Sequence, residues 1–564
     1  MRRSGTSGLH DKSPGEWRGH PGPREWKHMT AGFKSMTGRR ILPALILLIC
    51  MISLLHRMRD QARNSASQKS TPDLHAEREL ISSRVLYKAT DYHHASTVDL
   101  EISVPTLWFN GHSTGWRSSC ATRSPNWLAP RGSNGYLVVR CNGGLNQQRT
   151  AICNAVLAAR IMNATLVLPH LDTNSFWHDE SGFPGIYDVE HFIDSLKSDV
   201  RVIHTLPATW AIGTKRMKLK PYQLQPPRDA PVRWYETTAL ETMKKHGAVY
   251  LTPFSHRLDE KLDNHEYQRL RCRVNYHALR FNNDIRNLSS IIVQRLRSVG
   301  PYMAIHLRFE LDMLAFAGCL DIFTPEEQEI LKKYRKENFA EKKLEYNHRR
   351  LIGKCPLTPH EVGLFLRAMG FNNATRIYLA VGEVFGGERF LKPLRDLFPQ
   401  LETRSTVALP EELGLVRADG HGLLGPAVDY MVCLLSDIFV PTYDGPSNFA
   451  NNLIGQRLYY GFRTTLQPDR KALAPHYIKL EKGLVSRSDF ETSVRQIMSP
   501  KSFGRPRTRL PSESFYTNPW PECFCMISSK DSANQCPLDI VETTSVDIDE
   551  DENFLDEWNQ LQRL

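Results

Sequence analysis

The chain has 564 residues, 41% of them hydrophobic, and a formal net charge of +11. This length can bury more than one core, so we expect two or three folded units. Residues 1–40 hold nine Lys or Arg against three Asp or Glu, a net +6, and the rest of the chain carries +5. Because no folded module shows a concentrated basic stripe, we expect no nucleic-acid partner. A second and less direct implication of the basic balance is an affinity for acidic glycans.

An uncharged hydrophobic run extends from Ile41 to Leu55, directly after Arg39 and Arg40. We predict that it is a transmembrane signal-anchor, although its 15 residues are short for a span, which usually takes roughly 17–25. A cleaved signal peptide and a buried core helix are the alternatives. The predicted segments are a cytosolic tail (1–40), the anchor (41–56) and a polar stem (57–129).

Ten cysteines and three glycosylation sequons lie beyond the anchor. The sequons are at Asn163, Asn287 and Asn373. An even cysteine count after an anchor fits a disulfide-permissive lumenal domain, although the connectivity stays open. Cys523, Cys525 and Cys536 are close enough for a zinc site, but no histidine is nearby and we favour disulfides. These features indicate a single-pass type II protein with a lumenal domain.

A strand–turn–helix–strand pattern begins the folded region. Gly135 to Cys141 predicts a strand, Leu145 to Met162 a helix and Thr165 to Leu168 a second strand, which together favour a parallel βαβ unit. The turn, Asn142 to Arg149, lacks the G-x-G-x-x-G spacing of dinucleotide sites. Its glycines could serve only a tight turn, but Asn, Gln and Arg at a helix start favour binding of a phosphate or hydroxyl.

A second region of the same kind starts at the strand Tyr302 to Leu307. His306 and Arg308 alternate at its end and are expected on one face. A structural salt bridge of Arg308 with Glu310 or Asp312 is an alternative interpretation, and so is a magnesium site on that carboxylate pair. Further predicted elements are a strand at Ile377–Val381, a helix at 387–397, a helix at Pro426–Leu435, a strand at Ile438–Val440 and a helix opening at 444–449.

Two such α/β regions around an irregular middle, at about 170–295, predict two Rossmann-like domains facing across a cleft. A nucleotide is expected at the carboxyl ends of the strands. The basic run 332–354 is interpreted as a solvated helix face, with contact to an acidic acceptor as its alternative. The predicted domains are an acceptor-side domain (130–300), a nucleotide-sugar-side domain (301–485) and a tail that is acidic at its end (486–564).

Three blocks, Gly135–Arg149, Ala304–Cys319 and Asp429–Gly461, resemble the plant O-fucosyltransferase family, which includes members implicated in pectin rhamnosylation. The likeness covers about residues 130–485. That family is distantly similar to animal protein O-fucosyltransferases. The resemblance implies a GT-B-like fold, inversion at the anomeric carbon, a GDP-fucose donor, no metal and no other cofactor.

The resemblance also implies roles for individual residues. Arg308 would match the family arginine that grips the diphosphate, and it is a candidate catalytic residue. Glu310 is the second candidate catalytic residue, although the family's catalytic carboxylate has no secure counterpart in this sequence. The remaining expected donor contacts are His306, Gly143, Gly144, Asn146, Asp437, Ser447, Asn448 and Phe449. The expected enzyme transfers a 6-deoxyhexose to a cell-wall glycan or glycoprotein in the Golgi apparatus membrane. A pectin rhamnosyltransferase using UDP-rhamnose and a non-catalytic glycan-binding Golgi protein are the alternatives.

Overall fold

The computed structural model describes residues 104–109, 116–117, 123–172, 179–208, 220–339, 344–415, 422–443, 448–460 and 463–501, with shorter stretches from 503 to 526. The predicted cytosolic tail, the anchor, most of the stem and Ser447 therefore lie outside the described residues. Within these ranges, every helix is too short or too polar to cross a membrane.

Twelve strands form two parallel sheets and one short antiparallel pair within the described part of the chain. They are β1 (Trp116–Arg117), β2 (Tyr136–Cys141), β3 (Thr165–Val167), β4 (His170–Leu171), β5 (Val202–Ile203), β6 (Tyr222–Leu224), β7 (Ala248–Leu251), β8 (Met303–His306), β9 (Ile377–Ala380), β10 (Leu401–Glu402), β11 (Ile438–Pro441) and β12 (Cys525–Met526).

Eighteen α-helices accompany these strands in the described ranges. They are α1 (Val104–Phe109), α2 (Leu145–Ile161), α3 (Gly182–Ile186), α4 (Val189–Leu196), α5 (Val232–Trp234), α6 (Leu240–His246), α7 (His265–Arg273), α8 (Asn283–Arg297), α9 (Leu311–Ala317), α10 (Pro325–Asn338), α11 (Tyr346–Arg349), α12 (Pro359–Ala368), α13 (Glu388–Leu397), α14 (Arg404–Val407), α15 (Leu424–Leu435), α16 (Asn448–Tyr459), α17 (Arg470–Glu481) and α18 (Arg487–Met498). Two π-helical turns, Tyr235–Ala239 and Val274–Ala278, and a 3-10 turn, Glu412–Leu415, complete the set.

The first sheet has the order β5-β3-β2-β7-β6, with β4 also paired to β2, and all its pairs are parallel. This sheet and its helices form the first lobe. The predicted βαβ unit is confirmed, with α2 as its helix. Residues 145–159 of this helix are all buried, because other elements surround it on every side.

The second sheet, the centre of the second lobe, has the parallel order β10-β9-β8-β11. Side chains alternate across it, as expected for strands. Tyr302 and Ala304 belong to one hydrophobic cluster, whereas Met303 and Ile305 belong to another. The first of these clusters also contains the core of the first lobe, so the two lobes share a continuous hydrophobic core.

Helices join the lobes at this shared core. Helix α8 packs along α15. Asp179 of the first lobe accepts a hydrogen bond from the backbone N–H of Leu423 at 2.6 Å, directly before α15. A carboxylate at this position also complements the positive end of the helix dipole.

Two disulfides are present among the described residues, Cys272–Cys523 and Cys319–Cys355. The disulfide expectation is thus confirmed for Cys523, whereas Cys141, Cys153 and Cys433 are buried free thiols. The Cys272–Cys523 bridge holds the C-terminal segment on the first lobe. Within that segment Phe515 and Tyr516 join the shared core, so this part of the chain is packed structure.

Candidate functional site

His306 ends β8 in the middle of the second sheet. Its ring stacks on Phe449, with 4.4 Å between centroids and 29° between planes. Nδ1 lies 3.4 Å from the carbonyl oxygen of Ala380, and a bond there makes Nε2 the acceptor nitrogen. Burial, followed by the charge of Arg308, lowers the pKa of His306 to about 3, so the ring is neutral. Nε2 is buried with no hydrogen-bond partner in the described structure, which leaves it available to a ligand.

Arg308 lies two residues further, between two carboxylates. Its guanidinium donates to Glu310 Oε2 at 2.8 Å and to both oxygens of Asp312, at 3.2 and 2.7 Å. Burial opposes its charge, but Asp312 and Glu310 outweigh that effect, so the pKa of Arg308 is raised above its usual value. Both salt bridges considered from the sequence are therefore present, on a side chain that is 14% exposed.

Glu310 differs from an ordinary paired carboxylate. Burial raises its pKa, the neighbouring Asp312 raises it further, and Arg308 only partly compensates. With both carboxylates ionised, this three-residue cluster carries one excess negative charge. A carboxylate with a raised pKa is a better proton acceptor than a free one, which suits general-base chemistry.

Thr442 fixes the backbone between His306 and Arg308. The sequence did not indicate this role. Its hydroxyl donates to the carbonyl oxygen of His306 and accepts from the backbone N–H of Arg308, both at 3.1 Å. Thr442 follows β11, and β11 pairs with β8, so parallel pairing brings the two strand ends together. One hydroxyl at a strand end is too common a feature for sequence reasoning to identify this role.

The glycine turn lies at the carboxyl end of β2 in the first lobe. Asn142 Oδ1 accepts from the backbone N–H groups of Phe254 and Ser255, at 3.1 and 3.0 Å. Gly143 has a φ of +91°, a conformation that glycine adopts without strain. Gly144 caps α2, and no side chain caps this end and no acidic residue lies in its first turn. The N–H groups of that turn and the positive dipole end suit an anion.

The polar residues after the turn are mostly directed inward. Gln148 donates to the carbonyl oxygen of Gly143 at 2.7 Å and so braces the turn. Arg149, only 1% exposed, donates from Nε to Asn275 Oδ1 at 2.8 Å. Both side chains are bonded to other parts of the protein, because the surrounding helices enclose α2. Asn146, in the first turn of α2, is 4% exposed.

Tyr430 of α15 connects the two halves of the site. The guanidinium of Arg149 lies 5.9 Å from its ring centroid, and the ring of Phe449 packs against it at 5.5 Å, edge to face. The ring of Phe449 also stacks on the imidazole of His306. Tyr430 and Phe449 thereby link Arg149 of α2 to His306 at the carboxyl end of β8.

Asp437 is not brought to this place. It precedes β11, and its carboxylate accepts from the backbone N–H of Tyr302 at 2.9 Å, directly before β8. Both contacts are at the amino ends of parallel strands, whereas His306 and Arg308 are at the carboxyl ends. Asp437 also pairs with Arg297 at 3.4 Å. The expected donor contact is therefore not supported by this geometry, and Asp437 fastens the far edge of the sheet.

The remaining predicted positions are distributed over the surface and α16. Asn448 begins α16, next to Phe449. The sequon residues Asn287 and Asn373 are exposed, and Asn163 is half-buried with a φ of +46°. Among the described residues, no group of three His, Cys, Asp or Glu side chains is arranged to hold a metal ion.

Comparisons with known proteins agree with these motifs. The family described as GDP-fucose protein O-fucosyltransferase matches residues 136–460. O-fucosyltransferase 1 of Arabidopsis thaliana is 58% identical over 538 residues, 95% of this chain and 94% of that protein. Rhamnogalacturonan I rhamnosyltransferase 1 of the same plant is 41% identical over 409 residues, 70% of this chain and 78% of that protein.

A solved structure, POFUT1 in complex with GDP, aligns with 60% of this chain and 98% of its own, at 14% identity and a TM-score of 0.37. The family match over residues 136–460 and the 58% identity over 538 residues establish the family from sequence alone. With His306, Arg308 and the glycine turn inside the matched region, this chain is a glycosyltransferase and belongs to the O-fucosyltransferase family.

Proposed function

We propose that the chain is an inverting, GT-B-like glycosyltransferase that transfers fucose from GDP-fucose to a hydroxyl of a cell-wall glycan or glycoprotein. The observation that carries this proposal is the position of Arg308. Its guanidinium is fixed by two carboxylates at the end of a central parallel strand, and Tyr430 links this strand end to Arg149 of α2, the helix whose uncapped N-terminus follows the glycine turn. Arg308 and the first N–H groups of α2 are two sets of hydrogen-bond donors for one diphosphate.

The donor would lie between the two lobes. The diphosphate takes hydrogen bonds from the first turn of α2, near Gly143, Gly144 and Asn146, and from Arg308. The neutral His306 accepts, at its unpartnered Nε2, a hydrogen bond from a hydroxyl of the nucleotide-sugar. Asn448 and Phe449 border the same space, and Phe449 fixes the plane of the imidazole.

Transfer needs charge stabilisation at two atoms. As the glycosidic bond breaks, negative charge grows on the leaving diphosphate, and Arg308 stabilises that charge more in the transition state than in the ground state. The sugar becomes oxocarbenium-like. We assign Glu310 as the base that takes the proton of the acceptor hydroxyl as the new bond forms, because its raised pKa favours proton uptake.

The donor nucleotide has a second candidate. A relative that is 41% identical is named a rhamnogalacturonan I rhamnosyltransferase, so UDP-rhamnose is the alternative to GDP-fucose. A non-catalytic glycan-binding role is the third candidate, which the presence of both His306 and Arg308 disfavours. We also propose a Golgi membrane location with a lumenal catalytic domain, supported by the hydrophobic run 41–55 and the two disulfides.

Calorimetry on the purified full-length chain, with chelator present, tests the donor. We expect GDP to bind and UDP not to bind, and we expect slow hydrolysis of GDP-fucose without acceptor. Glu310→Gln should keep GDP binding and lose transfer. Binding of UDP instead of GDP would favour rhamnosyl transfer. If no nucleotide-sugar is hydrolysed or transferred, the proposed transferase activity is wrong.

A further inference from the structure

The first sheet has a polar face next to the glycine turn. Along β2, Leu137, Val139 and Cys141 belong to the hydrophobic core, so Arg140 points to the opposite side. Parallel pairing places His170 beside Arg140, and Gln223 beside Tyr250. Tyr250 is itself the neighbour of Val138, two residues before Arg140 on β2. Arg140, His170, Gln223 and Tyr250 therefore share one face, which we call the Arg140 face.

This face is unusually open and polar for a parallel sheet, whose two faces are normally buried and apolar. His170 and Gln223 are exposed, Tyr250 is half-buried, and the side chain of Arg140 is 35% exposed. The imidazole and phenol rings lie 6.4 Å apart, one on each side of β2. Burial and the charge of Arg140 lower the pKa of His170, so the ring adds no charge of its own at neutral pH.

Asp172 orients Arg140 through one hydrogen bond, which engages only one of the guanidinium nitrogens. One terminal nitrogen donates to Asp172 Oδ1 at 2.5 Å. A guanidinium has five N–H donors in a planar fork that matches a carboxylate, so a partly exposed Arg140 has further donors to offer a ligand. Flat rings beside such a fork are the usual surroundings of a bound pyranose, whose C–H face packs on an aromatic ring.

The Arg140 face continues into the donor site. The backbone N–H of Asp172 donates to Gln148 Oε1 at 3.2 Å, and Gln148 Nε2 donates to the carbonyl oxygen of Gly143 at 2.7 Å. Arg140 itself is only two residues before Asn142. A chain of sugars on this face would thus approach the turn at which the diphosphate is proposed to bind.

We propose that the Arg140 face binds a uronate residue of the acceptor, with its carboxylate on Arg140 and its ring against Tyr250 and His170. This inference rests on the proposed function and narrows it to an acidic glycan acceptor in place of a polypeptide. Charge complementarity supports the choice: the chain beyond residue 40 is net basic, and Arg140 offers its fork at the surface.

The test uses oligogalacturonide and its methyl ester as probes, with the full-length chain and calorimetry. Arg140→Gln should weaken oligogalacturonide binding about tenfold, the loss expected for one charged hydrogen-bond pair. Full esterification should weaken binding to the wild type by a similar factor. Tyr250→Leu should weaken both probes, because it removes the ring that either pyranose contacts.

Arg123→Gln is the matched control. Arg123 is 34% exposed and pairs with Asp199 at 2.6 Å, also in the first lobe, but it lies outside the Arg140 face. It should leave oligogalacturonide binding unchanged, and none of these variants should alter GDP binding or GDP-fucose hydrolysis. The proposal would be overturned if Arg123→Gln and Arg140→Gln reduced oligogalacturonide affinity equally, or if the wild type bound the esterified probe as tightly as the free acid. A peptide acceptor whose binding needs Arg140 would overturn it as well. If GDP binding and donor hydrolysis both fail while Arg140-dependent binding remains, the donor assignment is at fault and the glycan surface stands.

Discussion

Arg308 lies between Glu310 and Asp312, and this pairing decides which substitution is informative. Arg308→Ala leaves two carboxylates facing each other in a mostly buried place, so it should lower the melting temperature as well as the transfer rate, the latter by roughly 10²-fold or more. Arg308→Lys keeps the charge and should keep most of the stability, but it loses the planar fork that holds a diphosphate.

The lysine variant therefore gives the sharper test. We expect its melting temperature to stay close to that of the wild type, while the transfer rate falls at least about tenfold. Both quantities should be measured on the same preparation. Turnover near the wild-type level in a folded Arg308→Lys protein would rule out the proposed grip on the diphosphate.

Glu310 predicts a dependence of stability on pH. Its pKa is raised in the folded protein, so the unfolded chain ionises more readily, and raising the pH through that pKa costs folding free energy. Glu310→Gln removes this cost. The variant should melt higher than the wild type at pH 7, and the difference should shrink towards pH 4, where the wild-type carboxyl is protonated. A variant that melts lower at pH 7 would show that the salt bridge with Arg308 stabilises the fold by more than the burial of the Glu310 charge costs.

At the scale of elements, Arg149 couples α2 of the first lobe to α15 of the second. Its guanidinium holds Asn275 and lies against Tyr430, and Tyr430 supports Phe449 beneath His306. Arg149→Lys cannot make the same set of contacts. We expect it to weaken GDP binding several-fold in protein that remains folded, since a shifted Phe449 no longer fixes His306.

Arg271→Lys is the control for this prediction. Arg271 is another fully buried arginine of the first lobe, and it donates to the backbone carbonyls of Asp259 and Glu260. Its substitution should lower the melting temperature without changing GDP affinity. If both lysine variants reduce affinity in proportion to their loss of stability, Arg149 has only a structural role.

For the whole molecule, the two disulfides close loops of different length. Cys272 and Cys523 are 251 residues apart and Cys319 and Cys355 only 36. In the chain-entropy account the longer loop stabilises more, with typical values of about 2–4 kcal/mol for a disulfide. Replacing Cys272 and Cys523 together by serine should thus cost more unfolding free energy in urea than replacing Cys319 and Cys355. The reverse order would show that native contacts already hold the C-terminal segment in place.

Local pattern predicted much of this fold. The strands at Gly135–Cys141 and Tyr302–Leu307 and the helix after the first of them follow from apolar runs bounded by glycine or proline, because those rules act over a few residues. The direction of Gln148 and Arg149 could not be predicted, since it depends on helices that close around α2 from distant parts of the chain. Asp437 was assigned by resemblance, and only the strand direction shows that it lies at the wrong end of the sheet.

The shared core has a consequence for anyone who wishes to exchange parts between relatives. Ala304 and Phe439 of the second sheet, and Tyr302 directly before β8, belong to the same hydrophobic cluster as the interior of the first lobe. A chimera joined at residue 300 would set one parent's sheet against another parent's packing partners. Donor preference should therefore be transplanted by grafting surface residues around Arg308 and Asn448, or by moving α2, α8 and α15 together with the second sheet.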